Sequence, residues 1–147
     1  MRTSGPLQYR EAKGLHRSWA TWWIDLPLKS HAFRITDPEG RTLAALDEAG
    51  RLTVAPGYLW DGSSGPTVDG AADPVPSLVH DVLYEAMRAR KLSKDARSRS
   101  DGLYYDLLRE RGMSRTRAGL RWIGLRIFAG WAASPRKGAE YPLRVAQ

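Results

Sequence analysis

The sequence of 147 residues contains no cysteine, which excludes a disulfide framework and a thiolate metal site. No apolar run approaches the roughly 18–20 residues needed to span a bilayer. The segment after Met1 lacks the apolar stretch of a signal peptide, so we expect a protein made in the cytoplasm. A hydrophobic content of 42% with 27% charged residues argues against a disordered tail and predicts a soluble globular domain.

Acidic residues are scarce relative to basic ones: 16 against 23, for a net charge of +7. The basic excess is concentrated between Arg88 and Arg99 and again between Arg109 and Arg126. Nucleic acid, anionic lipid or an acidic partner can each explain such a charge, and so can a solvated arginine-rich surface. Nucleic acid is the partner that we do not favour.

The first part of the chain predicts β structure. Aromatic and β-branched residues or alternating apolar residues occupy the runs 18–26, 32–36, 42–46 and 51–54. Turn residues such as Asp37-Pro38-Glu39-Gly40 separate these runs. We expect an antiparallel β-meander of three or four strands over about 18–60, preceded by an N-terminal arm over about 1–17.

The second part predicts helices. Residues 61–74 are rich in glycine and proline and form a loop, after which Asp73 and two prolines are typical of a helix start. Helices are expected over about 75–90, 94–111 and 115–133, followed by a tail over 134–147. The fold class is therefore α+β: an N-terminal antiparallel β-meander followed by three helices, in a single domain.

The last predicted helix is apolar over most of its circumference. Leu120, Ile123 and Ile127 mark one stripe, and a second stripe adjoins it. Such a helix is either the central core helix, which we favour, or a helix that lies on a membrane surface. In the second case its boundary residues, which would bind lipid or anions, are Arg117, Arg121, Arg126 and Trp122.

The residues with catalytic potential lie in the first two helices. His80 sits in an apolar-periodic run, and Asp101 begins a similar run on the next helix. Ester hydrolysis needs a base that deprotonates water and a second group that orients this base. His80 and Asp101 can fill these roles, and we expect the two side chains to lie within hydrogen-bonding reach of each other. Asp81 could join loop carbonyls in binding Ca²⁺. Alternatively, the His, Asp and Tyr side chains form a buried structural network.

His80-Asp81-x-x-Tyr84 resembles the His-Asp-x-x-Tyr signature of phospholipases A2, and the layout is similar to the cysteine-free type in parvovirus capsid proteins. The resemblance implies that His80 is the general base, Asp101 its orienting carboxylate and Tyr84 a supporting donor. It also implies that Ca²⁺ is a cofactor. The expected calcium ligands are Asp81 and the loop residues Tyr58, Trp60, Asp61 and Gly62.

A broader resemblance is to an uncharacterised family of tailed phages and prophages, domain-of-unknown-function family 1353. It is carried by Trp60 to Ser64, His80 to Tyr84, Asp101 to Tyr105 and Leu125 to Gly130. It implies a phage or prophage origin, with synthesis in the bacterial host and association with the virion as an option.

Two functions follow as hypotheses from these resemblances and motifs. One is a small calcium-dependent hydrolase of lipid or other esters that acts on anionic phospholipid or the bacterial envelope. The other is a non-enzymatic accessory or virion protein, from the tail or lysis module, that contacts other phage virion proteins. In the second case the polar set of His80, Asp101 and Tyr84 is purely structural.

Overall fold

The computed structural model describes residues 1–12, 15–61 and 73–132. The strands lie in one compact unit, Met1–Trp60, and the helices lie in a second unit that begins at Asp61. The strands are β1 (Tyr9–Ala12), β2 (Leu15–Ser18), β3 (Trp22–Asp25), β4 (Phe33–Thr36), β5 (Thr42–Leu46), β6 (Arg51–Val54) and β7 (Leu59–Trp60). The helices are α1 (Pro74–Arg88), α2 (Arg97–Glu110) and α3 (Arg115–Ala132), with a 3₁₀ turn at Lys94–Ala96 before α2. The predicted α+β class is confirmed.

The larger sheet has the strand order β3-β6-β5-β4, with antiparallel neighbours throughout. Strands β4, β5 and β6 form the predicted meander, and β3 pairs with β6 at the far side. Alternate side chains of β3, β4 and β6 are buried, as in Trp22 and Ile24 of β3 and Leu52 and Val54 of β6. This alternation follows from the two-residue period of a strand with one face in a core.

The segment predicted as an N-terminal arm contains two strands. β1 and β2 pair as an antiparallel hairpin, and β7 adds to β2 to complete a second, three-stranded sheet. All four residues of β1 are exposed, and β2 buries little except Ser18. A hairpin that buries so little apolar surface carries no apolar alternation in its sequence, and this pattern is what strand prediction relies on.

The tight turn between β5 and β6 depends on Gly50. This residue has φ +95°, and a Cβ placed there would lie 2.3 Å from the carbonyl oxygen of Leu26. The Gly50 carbonyl in turn accepts the N–H of Leu26 at 2.8 Å. Only glycine combines this φ with such a close approach of a neighbouring backbone.

In the helical unit, α1 packs on α2 and α2 packs on α3. Asp73 caps α1 by accepting the N–H of Val75 at 2.9 Å, and Pro74 occupies the first turn, where no amide donor is needed. The buried face of α1 is almost wholly apolar apart from His80 and Ser77. One wide apolar face on a 15-residue helix accounts for the extensive burial of α1.

The prediction that α3 is the central core helix is wrong. Ala118 and Leu125 are buried, but Leu120, Ile123 and Ile127 are 66%, 49% and 68% exposed. Helical periodicity identified the apolar stripes correctly, but it cannot specify which of two stripes packs against the protein. The buried residues Ala118 and Leu125 lie on the other side of the helix.

Candidate functional site

The site is built on the buried face of α1. His80 is 4% exposed, and Tyr84 follows it by one helical turn with 2% exposure. Their rings lie 4.0 Å apart between centroids, tilted by 36°. Tyr104 of α2 adds a third ring, edge-on to His80 at 5.3 Å. The imidazole is therefore held between two aromatic rings, which fix its orientation.

Asp101 of α2 lies opposite this pair and is fully buried. Its Oδ1 atom is 3.3 Å from Nε2 of His80. The hydroxyl of Tyr84 donates a hydrogen bond to the same oxygen. The predicted contact between His80 and Asp101 is thus confirmed, whereas the catalytic roles of the three residues stay predictions.

Two arginines face the other carboxylate oxygen of Asp101. Nη1 of Arg126, on α3, donates to Oδ2 at 3.1 Å, and Nε of Arg97 lies 3.8 Å from the same atom. Arg97 also donates to the main-chain carbonyl of Arg126 at 2.8 Å, and Arg126 donates to Ser98 Oγ at 3.2 Å. The carboxylate therefore receives contacts from all three helices.

The charge states follow from these contacts. Burial raises the pKa of Asp101, but the hydrogen bonds from His80, Tyr84 and Arg126 outweigh it and hold this pKa below its usual value. Burial lowers the pKa of His80 even though the hydrogen bond to Asp101 opposes the shift. Burial and the bond to Asp101 raise the pKa of Tyr84 above its usual range. At neutral pH the set is an aspartate, a neutral imidazole and a neutral phenol.

This charge state selects one tautomer of His80. An ionised carboxylate only accepts hydrogen bonds, so the proton of the neutral imidazole must be on Nε2, which faces Asp101. The lone pair is then on Nδ1. A neutral imidazole whose Nε2–H is fixed by a carboxylate has the tautomer that a general base acting through Nδ1 needs.

The residues predicted to bind calcium have two different surroundings. Asp81 of α1 accepts the main-chain N–H of Asp61 at 3.1 Å through Oδ2. Tyr58 and Trp60 belong to the strand unit: the Tyr58 carbonyl accepts the N–H of Ser18 at 2.9 Å, and Trp60 lies in β7. Gly62 lies outside the described residues.

A calcium ion takes six to eight oxygen ligands. Within 1–12, 15–61 and 73–132, no three His, Asp or Glu side chains gather as a metal site would require. Asp81 already uses one carboxylate oxygen on the Asp61 amide. Main-chain carbonyls can also bind Ca²⁺, and Ca²⁺ at this loop stays a prediction.

The predicted lipid- or anion-binding residues of α3 are in different environments. Arg117 is exposed, and Trp122 is 36% exposed with the Arg126 guanidinium 5.9 Å from its ring centre. Burial raises the pKa of Tyr104, and a hydrogen bond from Arg121 opposes this shift. Arg126 is the functional residue whose main contact the sequence did not reveal, because nothing in its spacing connects it to Asp101.

Comparisons with protein-family models, with curated proteins and with solved structures gave no match. The basis for a functional proposal is therefore the chemistry of the His80–Asp101 site itself.

Proposed function

We propose that the protein is a phage- or prophage-encoded hydrolase of ester bonds in lipids, with His80 as its general base. The observation that carries the proposal is the hydrogen bond between Nε2 of His80 and Asp101, which leaves the Nδ1 lone pair as the proton acceptor. The motif resemblance supports the lipid substrate and the phage origin. Both are proposals.

The reaction would begin with a water molecule at Nδ1. His80 takes a proton from this water as its oxygen attacks the ester carbonyl, and the imidazolium later returns the proton to the departing alkoxide. Water and ester thus become a carboxylic acid and an alcohol, with no net change at His80. Asp101 stabilises the imidazolium, and Tyr84 and Arg126 hold the carboxylate in place.

The two arginines beside Asp101 bear on the strength of this base. A carboxylate whose second oxygen is paired with Arg126 and Arg97 stabilises an imidazolium less than an unpaired one does. The neutral imidazole is favoured at rest, which keeps the base in its active form at neutral pH. The imidazole is also a weaker base for the same reason, so we expect a modest rate of hydrolysis.

The test is hydrolysis of phospholipid vesicles and of a soluble short-chain ester, each with and without added Ca²⁺. His80→Gln should abolish turnover, and Asp101→Asn should reduce it strongly, because an amide can donate to the ring and favour the wrong tautomer. His31→Gln, at a half-exposed histidine of the strand unit, is the matched control and should leave turnover unchanged. Wild-type protein that is inert toward both substrates under both conditions would exclude the proposal.

The second candidate is a non-enzymatic phage accessory or virion protein in which the same residues form a structural network. The observation in its favour is burial: Asp101 is 0% and His80 is 4% exposed. A buried carboxylate whose two oxygens both accept hydrogen bonds, and which connects three helices, stabilises a fold whether or not it is catalytic. This candidate predicts variants that lose stability in an otherwise inert protein.

A further inference from the structure

The exposed stripe of α3 has no explanation in the proposed chemistry. Leu120, Ile123 and Ile127 recur at spacings of three and four and are each about half exposed or more, from 49% to 68%. The residues that pack on the protein, Ala118 and Leu125, lie roughly 140–160° around the helix axis from Leu120. The helix therefore has two apolar faces on nearly opposite sides, and only one of them is buried in the protein.

The surroundings of this stripe are basic. The α3 sequence contains four arginines and no acidic residue. At 100° per residue, Arg117 falls on one side of the stripe and Arg115 on the other, whereas Arg121 lies farther around the helix and hydrogen-bonds Tyr104 of α2. Arginine stems can lie along an apolar surface while their guanidinium groups reach a charged one. The arrangement is an aliphatic strip with cationic borders.

We propose that this face of α3, defined by Leu120, Ile123 and Ile127, docks on the surface of an anionic phospholipid bilayer. The aliphatic side chains enter the boundary between headgroups and acyl chains, and the flanking arginines pair with lipid phosphates. Trp122 lies about 160° around the axis from Leu120, on the side of α3 that carries Ala118 and Leu125, and takes no part in this docking. The helix lies in the interface; no described helix is long and apolar enough to cross it.

Charge argues for lipid over a second copy of the chain. Two copies meeting through this face would bring their bordering arginines together, with no acidic residue on either helix to pair with them. A bilayer with anionic headgroups supplies both an apolar phase and the opposite charge. The net charge of +7 on the whole chain acts in the same direction.

The docking face is separate from the proposed base, so the two proposals can fail independently. Ile127 follows Arg126 directly in α3, and Arg126 donates to Asp101 at 3.1 Å. Docking would therefore place the helix that stabilises the His80–Asp101 pair at the lipid surface. A lipid hydrolase needs its substrate at such a surface, but vesicle binding itself needs no catalysis.

The first experiment uses the absence of cysteine in the chain to attach one environment-sensitive fluorophore. Labelled Ile123→Cys should show a blue-shifted, brighter emission with phosphatidylglycerol vesicles and little change with phosphatidylcholine vesicles. Labelled Arg34→Cys, at an exposed position of β4, is the control and should not respond. Equal responses at both positions, or none at Ile123→Cys, would overturn the proposal.

The second experiment removes the apolar strip. The triple variant Leu120→Gln, Ile123→Gln and Ile127→Gln should bind phosphatidylglycerol vesicles at least tenfold more weakly than wild type, with an unchanged melting temperature because all three positions are exposed. Trp19→Gln, which removes a 56% exposed indole from the strand unit, should bind as wild type does. Wild-type affinity in the triple variant would overturn the proposal.

Two further measurements separate the alternatives. Light scattering that shows an oligomeric wild type and a monomeric triple variant, with neither binding vesicles, would place a second copy on the face and overturn lipid docking. The triple variant should retain hydrolysis of a soluble ester, whereas His80→Gln should retain vesicle binding. Loss of vesicle binding alone in the triple variant and of hydrolysis alone in His80→Gln would support both proposals. A triple variant that still binds vesicles would overturn docking alone, and a wild type that binds vesicles but hydrolyses no ester would overturn the hydrolase alone.

Discussion

Replacing Asp101 by Asn is the perturbation that tests the buried network most directly. The side chain keeps its shape but loses its charge and exchanges one acceptor oxygen for a donor group. Asp101 Oδ1 accepts from His80 and Tyr84, and Oδ2 accepts from Arg126. If the new amide group faces Arg126, two donors meet; if it faces His80 and Tyr84, the phenol loses its acceptor. No orientation of Asn satisfies every partner.

The cost can be estimated from these contacts. Breaking a buried ion pair by removing one partner costs about 3–5 kcal/mol. Arg97 and Arg126 have side-chain exposures of 23% and 36%, so water can partly solvate them once Asp101 is neutral. We therefore expect Asp101→Asn to lower the free energy of unfolding by about 3 kcal/mol, at the lower end of this range. For a chain of 147 residues this lowers Tm by about 10 °C.

The assay is urea unfolding at pH 7, followed by circular dichroism and repeated at lower pH. Asp106→Asn is the matched control: it makes the same change on α2 at an exposed position and should alter the free energy of unfolding by less than about 0.5 kcal/mol. The pKa of Asp101 is lowered in the folded protein, so the stability it contributes is present above its unfolded pKa and is lost as pH falls through its folded pKa. The difference between wild type and Asp101→Asn should therefore shrink below about pH 4. A loss under about 1 kcal/mol at pH 7 would refute the network as described.

The remaining predictions concern single contacts. Tyr84→Phe should cost about 1.5–3 kcal/mol in urea unfolding, because it removes a hydrogen bond to a buried carboxylate; Tyr105→Phe, half-buried on α2, should cost far less. Burial lowers the pKa of His80, so on acidification the imidazole of the unfolded chain binds a proton before that of the folded protein does. The free energy of unfolding should therefore fall as the pH drops below about 6.5. In His80→Gln the slope of this free energy against pH should be smaller by up to about 1.4 kcal/mol per pH unit. Gly50→Ala should unfold the strand unit or cost more than about 3 kcal/mol, since its Cβ would lie 2.3 Å from a main-chain oxygen. Gly40→Ala, with φ +84° but open space around it, should cost only about 1–2 kcal/mol; equal costs at the two glycines would contradict the steric reasoning.

The sequence was informative where one face of an element is buried and the other is exposed. Strands β3, β4 and β6 alternate in burial, and all four strands from β3 to β6 were predicted at or near their observed positions. The hairpin of β1 and β2 was missed because its residues are polar and exposed, so its strand character comes from main-chain pairing that leaves no mark on composition. The position of β3 beside β6 was also not predictable, because pairing order depends on contacts distant in sequence.

In the candidate site, too, local sequence patterns identified some residues and missed the role of another. His80, Tyr84 and Asp101 could be identified because helical spacing places the first two on one face and because the third begins a similar run. Arg126 was predicted as a lipid- or anion-binding residue, yet it donates to Asp101 at 3.1 Å. An isolated arginine in an apolar helix has many candidate partners, and only the packing of α3 on α2 selects one. Long-range pairs of this kind are invisible to local periodicity.

The apolar stripes of α3 alone could not show whether this helix is a core helix or lies on a membrane surface. Apolar periodicity shows that a face is suited to a non-aqueous environment, and protein core and lipid satisfy this condition equally. The polar residues beside the apolar face distinguish the two. Beside a core face these residues hydrogen-bond to other parts of the protein, whereas a face at a membrane surface has cationic residues on both sides. In α3, Arg126 serves the first role through Asp101, and Arg117, exposed beside the outer stripe, fits the second. The docking proposal therefore assigns the side of α3 that carries Arg126 to the protein and the side bordered by Arg117 to the lipid surface.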